Sequence, residues 1–359
     1  MRAAVLEGGR FLVREYPDPV PGPGQALVET AACGICGSDL SAVAHTEDFL
    51  RASRDSGTTS FLFDPDRPLV MGHEFSGRVL AYGPGASGPE PGTGVVGLPW
   101  VLDAGGVVRT VGYSNAFPGG FGERIVVQAQ ALLPVPDSLD LAAASLTEPL
   151  AVGFGHVARS SAGEGTPAVV VGCGPVGLGA VAALLERGAG PVVASDPSAL
   201  RRAAAARLGA HVVVDPAAGE DPMARCAELA GTGARPTVVV NCVGVPGMLN
   251  RLLHTVPRGT EILQIGGVMT EDVIRPVVGI YKDVTLRMCL TYPPREFGAT
   301  LARLADGRID PAALVTGEAG FEGLDVAFAA LRRPDDHIKV LIRPGLKGEQ
   351  LSYRQVRIC

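Results

Sequence analysis

A glycine-rich run that follows an apolar segment is the feature that most constrains the fold of this chain. Residues 169–177 read V-V-V-G-C-G-P-V-G, which places the pattern G-x-G-x-x-G between a predicted strand and a predicted helix. Gly172 allows a tight turn, Gly174 lets the backbone approach a pyrophosphate group, and Gly177 lets the helix pack closely against the sheet. The run therefore predicts a strand–loop–helix unit of the kind that cradles dinucleotides.

Residues around this loop indicate which dinucleotide it would hold. Pro175 precedes the predicted helix and Val176 begins it, and the free N–H groups and positive dipole of this helix face the phosphates. Asp196 follows the next predicted strand, about 20 residues further on, where its carboxylate accepts hydrogen bonds from the ribose hydroxyls and repels a 2′-phosphate. This favours NAD over NADP. Arg201 and Arg202 keep NADP as the alternative, because they either neutralise that phosphate or only solvate a helix face.

The hydrophobic pattern predicts an α/β protein with two kinds of sheet. From about residue 167, apolar runs alternate with helical stretches, which is typical of a doubly wound parallel sheet. The predicted strands are 168–172, 191–195, 211–215, 237–243 and 261–266, and the predicted helices are 176–187, 200–208 and 223–229. The first 150 residues instead alternate short apolar runs with turn residues, which predicts a mainly antiparallel β domain. A length of 359 residues fits about two domains.

Composition argues against several classes of protein. The 31 Lys and Arg residues against 37 Asp and Glu residues give a net charge of −6 without a basic cluster, so nucleic acid and anionic membranes are not expected partners. Glu7 precedes any apolar run of signal-peptide length and the 7 cysteines are an odd number, so we expect a cytoplasmic protein with reduced thiols. The apolar stretch 168–185 is interrupted by glycines and Pro175, which predicts a buried strand, loop and helix rather than a membrane span.

Three widely spaced motifs contain residue types that bind metal ions. They are G-I-C-G-S-D at residues 34–39, G-H-E at 72–74 and T-E-P-L at 147–150. Taken singly, each has an ordinary structural explanation, such as a buried small cysteine or a hydrogen-bonded core histidine. Together they offer one thiolate, one imidazole and one or two carboxylates, which suits a tetrahedral zinc ion with an open position.

The order of these motifs, together with G-G-F-G-E and a late H-I-K-V, resembles the zinc-dependent medium-chain dehydrogenase superfamily on its polyol and threonine dehydrogenase side. The resemblance extends over nearly the whole chain. It implies a GroES-like catalytic domain over residues 1–150, completed by residues 291–345, and a Rossmann NAD-binding domain over residues 151–290. Residues 346–359 are predicted to be an unpatterned tail.

The resemblance also implies which residues hold the zinc ion. Cys36, His73 and Glu148 are the implied ligands, and Glu74 either exchanges onto the metal or rests behind it. Glu148 stands where other branches of the superfamily use a cysteine. Asp39 is implied to accept a hydrogen bond from the far nitrogen of His73 and to select its tautomer. Which glutamate binds zinc in the resting enzyme stays open.

The implied activity is hydride transfer between NAD and a secondary alcohol or polyol, with the ketone as the substrate of the reverse reaction. Zinc acidifies the alcohol, Ser38 receives its proton, and the hydride passes to the nicotinamide ring. The resemblance places two later loops at the cofactor, and these contain Val243, Gly244, Ile265 and Gly266. Two alternatives are a zinc-free, NADP-dependent enone or quinone reductase on the same fold and a non-catalytic nucleotide-binding relative, although the intact ligand set argues against both.

The chain departs from the family pattern in three places. Residues 98–118 contain no cysteine, whereas many relatives carry a structural zinc in a four-cysteine lobe there, so one zinc per chain is expected. The family's proton relay often ends on a histidine shortly after the serine, but the nearest histidine here is His45. We hypothesise a relay through Ser38 and the cofactor ribose that reaches His45. The segment between the first two ligand motifs is unusually long, and its extra residues, 47–67, form either a surface elaboration or a lid over the substrate pocket.

Three aromatic residues and one predicted edge strand complete these expectations. Trp100, Tyr113 and Phe117 lie where the structural lobe would be, and they either line a pocket or only pack. The predicted strand 283–292 resembles the family's dimer edge. A homo-oligomer, either a homodimer or a homotetramer, that acts on a small-molecule substrate is therefore expected.

Overall fold

The computed structural model describes residues 1–333 and 335–353, which divide into two compact units. The first unit contains residues 1–148, 301–333 and 339–353. The second contains residues 149–300 and 335–338. The predicted boundaries at residues 150 and 290 differ from this division mainly over residues 291–300, which belong to the second unit.

Short strands dominate the first 148 residues. The strands are β1 (Arg2–Glu7), β2 (Arg10–Glu15), β3 (Gln25–Gly34), β4 (Glu74–Tyr82), β5 (Gly94–Gly97), β6 (Trp100–Leu102), β7 (Val108–Thr110), β8 (Arg124–Gln128) and β9 (Leu132–Pro134). The helices are α1 (Gly37–Ala44), α2 (Thr46–Asp55), α3 (Leu141–Ala144) and α4 (Thr147–Val157); only the first two residues of α4 belong to the first unit. Asp140 shows how these short helices begin, because its carboxylate accepts hydrogen bonds from the N–H groups of Ala142 and Ala143 at the start of α3.

Six parallel strands form the sheet of the second unit. The strands are β10 (Ala168–Val171), β11 (Val192–Ser195), β12 (Val212–Val214), β13 (Val238–Asn241), β14 (Glu261–Gln264) and β15 (Thr285–Met288). The helices are α5 (Pro175–Glu186), α6 (Ala199–Arg207), α7 (Pro222–Ala230), α8 (Met248–Thr255), α9 (Pro276–Tyr281) and α10 (Pro294–Ala305), whose last residues belong to the first unit. The strand order is β12-β11-β10-β13-β14-β15. This order confirms the predicted doubly wound sheet, and its direction of winding reverses between β10 and β13, where such folds bind ligands.

Buried valine-rich strands explain why this sheet forms. All four residues of β10 are buried, as expected for a parallel strand that is covered on both faces. The apolar stretch 168–185 consists of β10, the glycine-rich loop and most of α5, in agreement with its prediction as strand, loop and helix. In the described part of the chain, no helix is both long enough and apolar enough to cross a membrane.

The last segment of the chain completes the main sheet of the first unit. It contributes β16 (Val315–Ala319), α11 (Leu324–Leu331), β17 (Lys339–Ile342) and β18 (Ser352–Tyr353). The strand order is β18-β16-β17-β3-β4-β5-β9, with β8 also paired to β3, and the neighbours are antiparallel except β16 and β17. The prediction of a mainly antiparallel β domain is thereby confirmed. Strand β18 lies in the predicted unpatterned tail, and residues 354–359, with Cys359, lie outside the described residues.

Candidate functional site

Three candidate ligands from the ends of two neighbouring strands meet in the first unit. Atoms of Cys36, His73 and Glu74 that can bind a metal ion lie within 4.8 Å of one another. Cys36 follows the end of β3 by two residues, and Glu74 begins β4. Gly34 pairs with Glu74 in the antiparallel ladder, so the register of the sheet brings the two motifs together.

Two glycines of these motifs allow the close approach. A Cβ atom on Gly34 would lie 2.0 Å from Oε2 of Glu74, so a side chain there would displace the carboxylate. Gly72 has a φ of +96°, and a Cβ atom on it would lie 2.7 Å from the ring of Phe121. Packing therefore requires glycine at both positions, and the backbone conformation requires it at Gly72 as well.

Asp39 connects the cysteine motif to the histidine. It is fully buried, and its Oδ2 accepts a hydrogen bond from the N–H of Cys36 at 2.9 Å. Its Oδ1 lies 3.3 Å from Nδ1 of His73, which leaves Nε2 for a metal ion. Burial opposes protonation of His73, but the charge and hydrogen bond of Asp39, assisted by Cys36, raise the pKa of His73 well above its ordinary value.

A buried lysine to which the sequence analysis assigned no role contacts Glu74. Nζ of Lys339 donates to Oε2 of Glu74 at 2.6 Å, to Oε1 at 2.9 Å and to the carbonyl oxygen of Ile35 at 2.7 Å. Lys339 is 2% exposed and Glu74 is 0% exposed. Burial disfavours the charged lysine, but the charges of Glu74, Cys36 and Asp39 outweigh this and raise the pKa of Lys339. The one sequence feature that could have indicated this ion pair is a charged lysine within the apolar H-I-K-V motif.

The side chain of Tyr113 contacts Ser38. The hydroxyl oxygen of Tyr113 lies 2.9 Å from Oγ of Ser38 and 2.9 Å from Oδ1 of Asp39. Burial, and then the charges of Asp39 and Cys36, raise the pKa of Tyr113 well above its ordinary value, so the hydroxyl keeps its proton. His45 lies exposed between α1 and α2. The position of Tyr113 in the sequence predicts an aromatic residue that lines a pocket or packs, and gives no signal of its contact with Ser38 and Asp39.

The long segment at residues 47–67 packs on Tyr113. The ring of Phe49, in α2, stacks on that of Tyr113 with 5.4 Å between centroids and an interplanar angle of 27°. Phe61 meets Tyr113 edge to face at 5.6 Å, and Phe63 packs against Phe49 at 6.3 Å. The insertion is therefore a packed part of the first unit.

Glu148 is the fourth implied ligand. It is the second residue of α4, half-buried, where a carboxylate interacts favourably with the helix dipole. It is not in the group of three whose ligand atoms meet within 4.8 Å. That group supplies a thiolate, an imidazole and a carboxylate, and donor atoms around a tetrahedral zinc ion lie about 3.5 Å apart. The donor set therefore fits zinc after small side-chain shifts.

In the second unit, the glycine-rich loop combines internal packing with open space. Gly172 has a φ of +90°, and a Cβ atom on Gly177 would lie 1.8 Å from the carbonyl oxygen of Gly172. A Cβ atom on Gly174 would meet nothing within 4 Å. Gly174 precedes α5, whose first residue is Pro175. The loop therefore leaves room for a ligand at Gly174 and at the free N–H groups of the helix.

Asp196 is held in place just after β11. It is 3% exposed, its Oδ2 accepts a hydrogen bond from the N–H of Cys173 at 2.8 Å, and its Oδ1 accepts one from the N–H of Ser198 at 2.8 Å. A carboxylate has about four acceptor sites, so both oxygens can accept further hydrogen bonds. The loop and the acidic residue of the dinucleotide motif are thus joined directly.

Both arginines that follow Asp196 are engaged within the second unit. Arg202 donates to the carbonyl oxygen of Asp196 at 2.9 Å and to the next carbonyl at 2.7 Å, and its Nη2 lies 3.0 Å from Oδ2 of Asp215. Arg201 donates to the carbonyl oxygen of His337 at 3.2 Å. These contacts orient the guanidinium group of Arg202 toward protein acceptors, whereas Arg201 makes this one contact and its buried Nε has no hydrogen-bond partner among the described residues.

The two later loops implied to contact the cofactor pack against each other after β13 and β14. The N–H groups of Ile265 and Gly266 donate to the carbonyl oxygen of Asn241 at 2.9 and 3.0 Å. A Cβ atom on Gly266 would lie 2.3 Å from the carbonyl carbon of Val243, and one on Gly244 would lie 2.2 Å from a carbonyl oxygen of the facing loop. Close contact between the loops therefore requires glycine at both positions.

The sequence matches two protein families, one in each half of the chain. Residues 22–137 match the family described as alcohol dehydrogenase GroES-like domain, and residues 175–306 match the family described as zinc-binding dehydrogenase. The chain belongs to the zinc-dependent medium-chain dehydrogenase superfamily and is an oxidoreductase, which confirms the resemblance seen in its motifs.

Similar proteins extend over nearly the whole chain. (R,R)-butanediol dehydrogenase of Bacillus subtilis is 29% identical over 92% of this chain and 96% of its own length. Sorbitol dehydrogenase of Gallus gallus is 27% identical over 96% of each chain. The crystal structure of the 2R,3R-butanediol dehydrogenase from Bacillus subtilis is 28% identical with a TM-score of 0.80, over 96% of this chain and 99% of that chain. These similarities do not favour the zinc-free reductase.

Proposed function

We propose that this chain transfers a hydride between NAD and a secondary alcohol or polyol, with the ketone as the substrate of the reverse reaction. The meeting of Cys36, His73 and Glu74 within 4.8 Å carries the proposal, because it brings two proposed zinc ligands, a thiolate and an imidazole, together with a carboxylate that can exchange onto the metal. Similar proteins are named for butanediol and sorbitol. On that basis the proposed substrate is an alcohol with more than one hydroxyl group.

In this proposal Cys36, His73 and Glu148 hold zinc, and Glu74 rests behind the metal. The contact of Lys339 with both oxygens of Glu74 supports this division, because the ammonium group competes with a metal ion for that carboxylate. Glu74 would bind zinc only after exchanging the lysine contact for the metal. Glu148 would then complete the set from the first turn of α4.

Each remaining residue of the site has a proposed task. Bound zinc would supply Lewis acidity to the alcohol oxygen, and NAD would supply the hydride acceptor. Ser38 would take the alcohol proton, and Asp39 would keep Nε2 of His73 directed at the metal position. The cofactor ribose would then carry the proton towards His45, and an unchanged pH–rate profile of His45→Gln would exclude that histidine from the relay.

NAD is the proposed cofactor because the charges around the ribose position disfavour a 2′-phosphate. Asp196 would accept hydrogen bonds from the ribose hydroxyls, and Arg201 and Arg202 are engaged by protein oxygens. A zinc-binding dehydrogenase from Sinorhizobium meliloti 1021, 25% identical with a TM-score of 0.78 over 96% of this chain and 99% of that chain, was solved bound to NADP. The ratio of kcat/KM for NAD and NADP therefore tests this assignment.

The proposal also covers the number of zinc ions per chain, the oligomeric state and the cellular location. One zinc per chain is proposed because residues 98–118 contain no cysteine. A homo-oligomer is proposed through the edge strand β15, where Met288 is 65% exposed and the nearby Leu290 is 66% exposed. A cytoplasmic location agrees with the free thiols of the six cysteines in the described residues.

The test is a hydride-transfer assay of the purified chain with NAD and a panel of alcohols, with zinc content measured on the same sample. We expect turnover of diols or polyols, about one zinc per chain, and loss of activity with a chelator that added zinc restores. Glu148→Ala should lower zinc content more than Glu74→Gln does. Activity that resists chelation would indicate a zinc-free reductase, and cofactor binding without turnover would indicate a non-catalytic relative, so either result contradicts the proposal.

A further inference from the structure

The hydroxyl group of Tyr113 contacts both Ser38, the proposed proton acceptor, and Asp39, the carboxylate that faces His73. Tyr113 is 1% exposed, and its hydroxyl oxygen lies 2.9 Å from Ser38 Oγ and 2.9 Å from Asp39 Oδ1. Its ring centroid lies 5.3 Å from that of His73. Tyr113 is 74 residues from Asp39 in the sequence.

The chemistry of these groups determines which of them donates each hydrogen bond. An ionised carboxylate only accepts, so the Tyr113 hydroxyl donates to Asp39 and accepts from the hydroxyl of Ser38. Asp39 also accepts the N–H of Cys36 and faces Nδ1 of His73. In the resting site, one hydroxyl therefore helps to orient Asp39 behind two candidate ligands and turns the lone pairs of Ser38 away from Tyr113. During the proposed relay, Ser38 would turn its own proton from Tyr113 to the ribose as it takes the alcohol proton.

The insertion at residues 47–67 holds the ring of Tyr113 from two sides. Phe49 stacks on it and Phe61 meets it edge to face. The insertion is itself tied to neighbouring residues, because the N–H of Thr110 donates to Ser60 at 3.1 Å and the side chain of Asn115 bonds both backbone groups of Asp64 at 2.8 and 3.1 Å.

We propose that Tyr113 is a positioning residue for the metal centre and that the 47–67 insertion is its support rather than a lid. The inference rests on the proposed zinc-dependent function. Without the hydroxyl, Asp39 loses a donor and His73 is held less firmly, while Ser38 loses the acceptor that orients it. Loss of a partner behind a metal ligand typically lowers metal affinity or activity about 10- to 100-fold.

The test compares Tyr113→Phe, which keeps the ring packing, with Tyr82→Phe in the zinc-loaded enzyme. Tyr82 is the matched control because its hydroxyl donates to the carbonyl oxygen of Pro89 at 2.7 Å, in the same unit but away from these residues. The readouts are the rate of zinc release to a chromogenic chelator, the visible spectrum of the cobalt-substituted enzyme, and kcat and KM for the alcohol.

We expect Tyr113→Phe to release zinc about 10-fold faster or more, to change the cobalt spectrum and to lower kcat, with KM for NAD unchanged. Tyr82→Phe should match the parent in all three. Phe49→Leu should speed zinc release in the same direction by a smaller factor. If Phe49→Leu instead changes only KM across the alcohol panel, the insertion acts as a lid and its supporting role is wrong.

Failure of the positioning role and failure of the proposed function give different results. Suppose that the parent enzyme holds zinc and turns over alcohol, and that Tyr113→Phe has the same zinc-release rate and the same cobalt spectrum as the parent. The positioning role is then overturned and the proposed function stands. If the parent binds no zinc, the proposed function fails first and the inference fails with it.

Discussion

The buried pair of Lys339 and Glu74 supports a quantitative prediction about stability. In Lys339→Met, a side chain of similar length replaces the ammonium group that donates to both carboxylate oxygens of Glu74 and to the carbonyl of Ile35. Glu74 is 0% exposed, so water cannot replace the lost contacts. Breaking a buried pair in this way typically costs about 3–5 kcal/mol, because an uncompensated charge stays inside the protein.

The expected loss is large enough to measure by two methods. For a domain of this size, 1 kcal/mol corresponds to about 2–4 °C in the unfolding midpoint, which gives a fall of roughly 6–20 °C. The double variant Glu74→Gln, Lys339→Met should recover about 2 kcal/mol or more, because it no longer buries an unpaired charge. Zinc bound beside Glu74 would also compensate the carboxylate, so the loss should be smaller in the zinc-loaded protein.

The chain offers a specific probe and a matched control for this measurement. Trp100 is its 1 tryptophan and lies in β6 of the first unit, so tryptophan fluorescence during urea unfolding reports on the unit that contains the pair. Arg14→Met removes the exposed partner of Glu7 in the same unit, and such pairs are worth about 0–1 kcal/mol. A loss for Lys339→Met as small as that for Arg14→Met, or a double variant no more stable than the single one, would refute the reasoning.

Three further predictions concern the second unit. Burial, and then the charge of a nearby arginine, lower the pKa of His156 to about 4. The folded state thus binds a proton at His156 less tightly than the unfolded chain does. Neutral His156 therefore contributes to the free energy of unfolding in full above about pH 6.5, and this contribution is lost as the pH falls to about 4. Between pH 7 and pH 4, the free energy of unfolding of His156→Leu should fall by up to about 3 kcal/mol less than that of the parent, as measured by urea unfolding. Gly174→Ala should keep the parent's free energy of unfolding but weaken NADH binding about 10-fold or more. Gly177→Ala should lower the free energy of unfolding and also weaken NADH binding, because its Cβ would lie 1.8 Å from a carbonyl oxygen. Met288→Lys on the edge strand β15 should shift the proposed oligomer towards the monomer in light scattering, and an unchanged mass would contradict assembly through that edge.

The local elements were the most predictable from the sequence. The turn at Gly172 and the helix beginning at Pro175 depend on neighbouring residues; the turn lies where the motif predicts it, and the helix begins one residue before its predicted start. The parallel strands were predictable because each is a continuous apolar run. The extra segment at residues 47–67 was recognised by its length, but its packing on Tyr113 had no local signal.

The candidate site was predictable only in part. Cys36, His73 and Glu74 were recognisable because their residue types and motif order are distinctive, and the structure brings their donor atoms together. Lys339 was missed because its partner Glu74 is 265 residues away in the sequence, and a lysine in an apolar strand can equally extend its charge to water.

The sequence by itself determined the class of fold, the superfamily and the set of residues from which a zinc and dinucleotide site can be built. These properties follow from residue type, period and order, which require no knowledge of distant contacts. Only the tertiary structure decided that Lys339 pairs with Glu74, and that Tyr113 contacts Ser38. The physical reason is that the register between β17, β3 and β4 and the packing of the inserted aromatic rings depend on segments far apart in the chain, whose energies appear only once they are buried together.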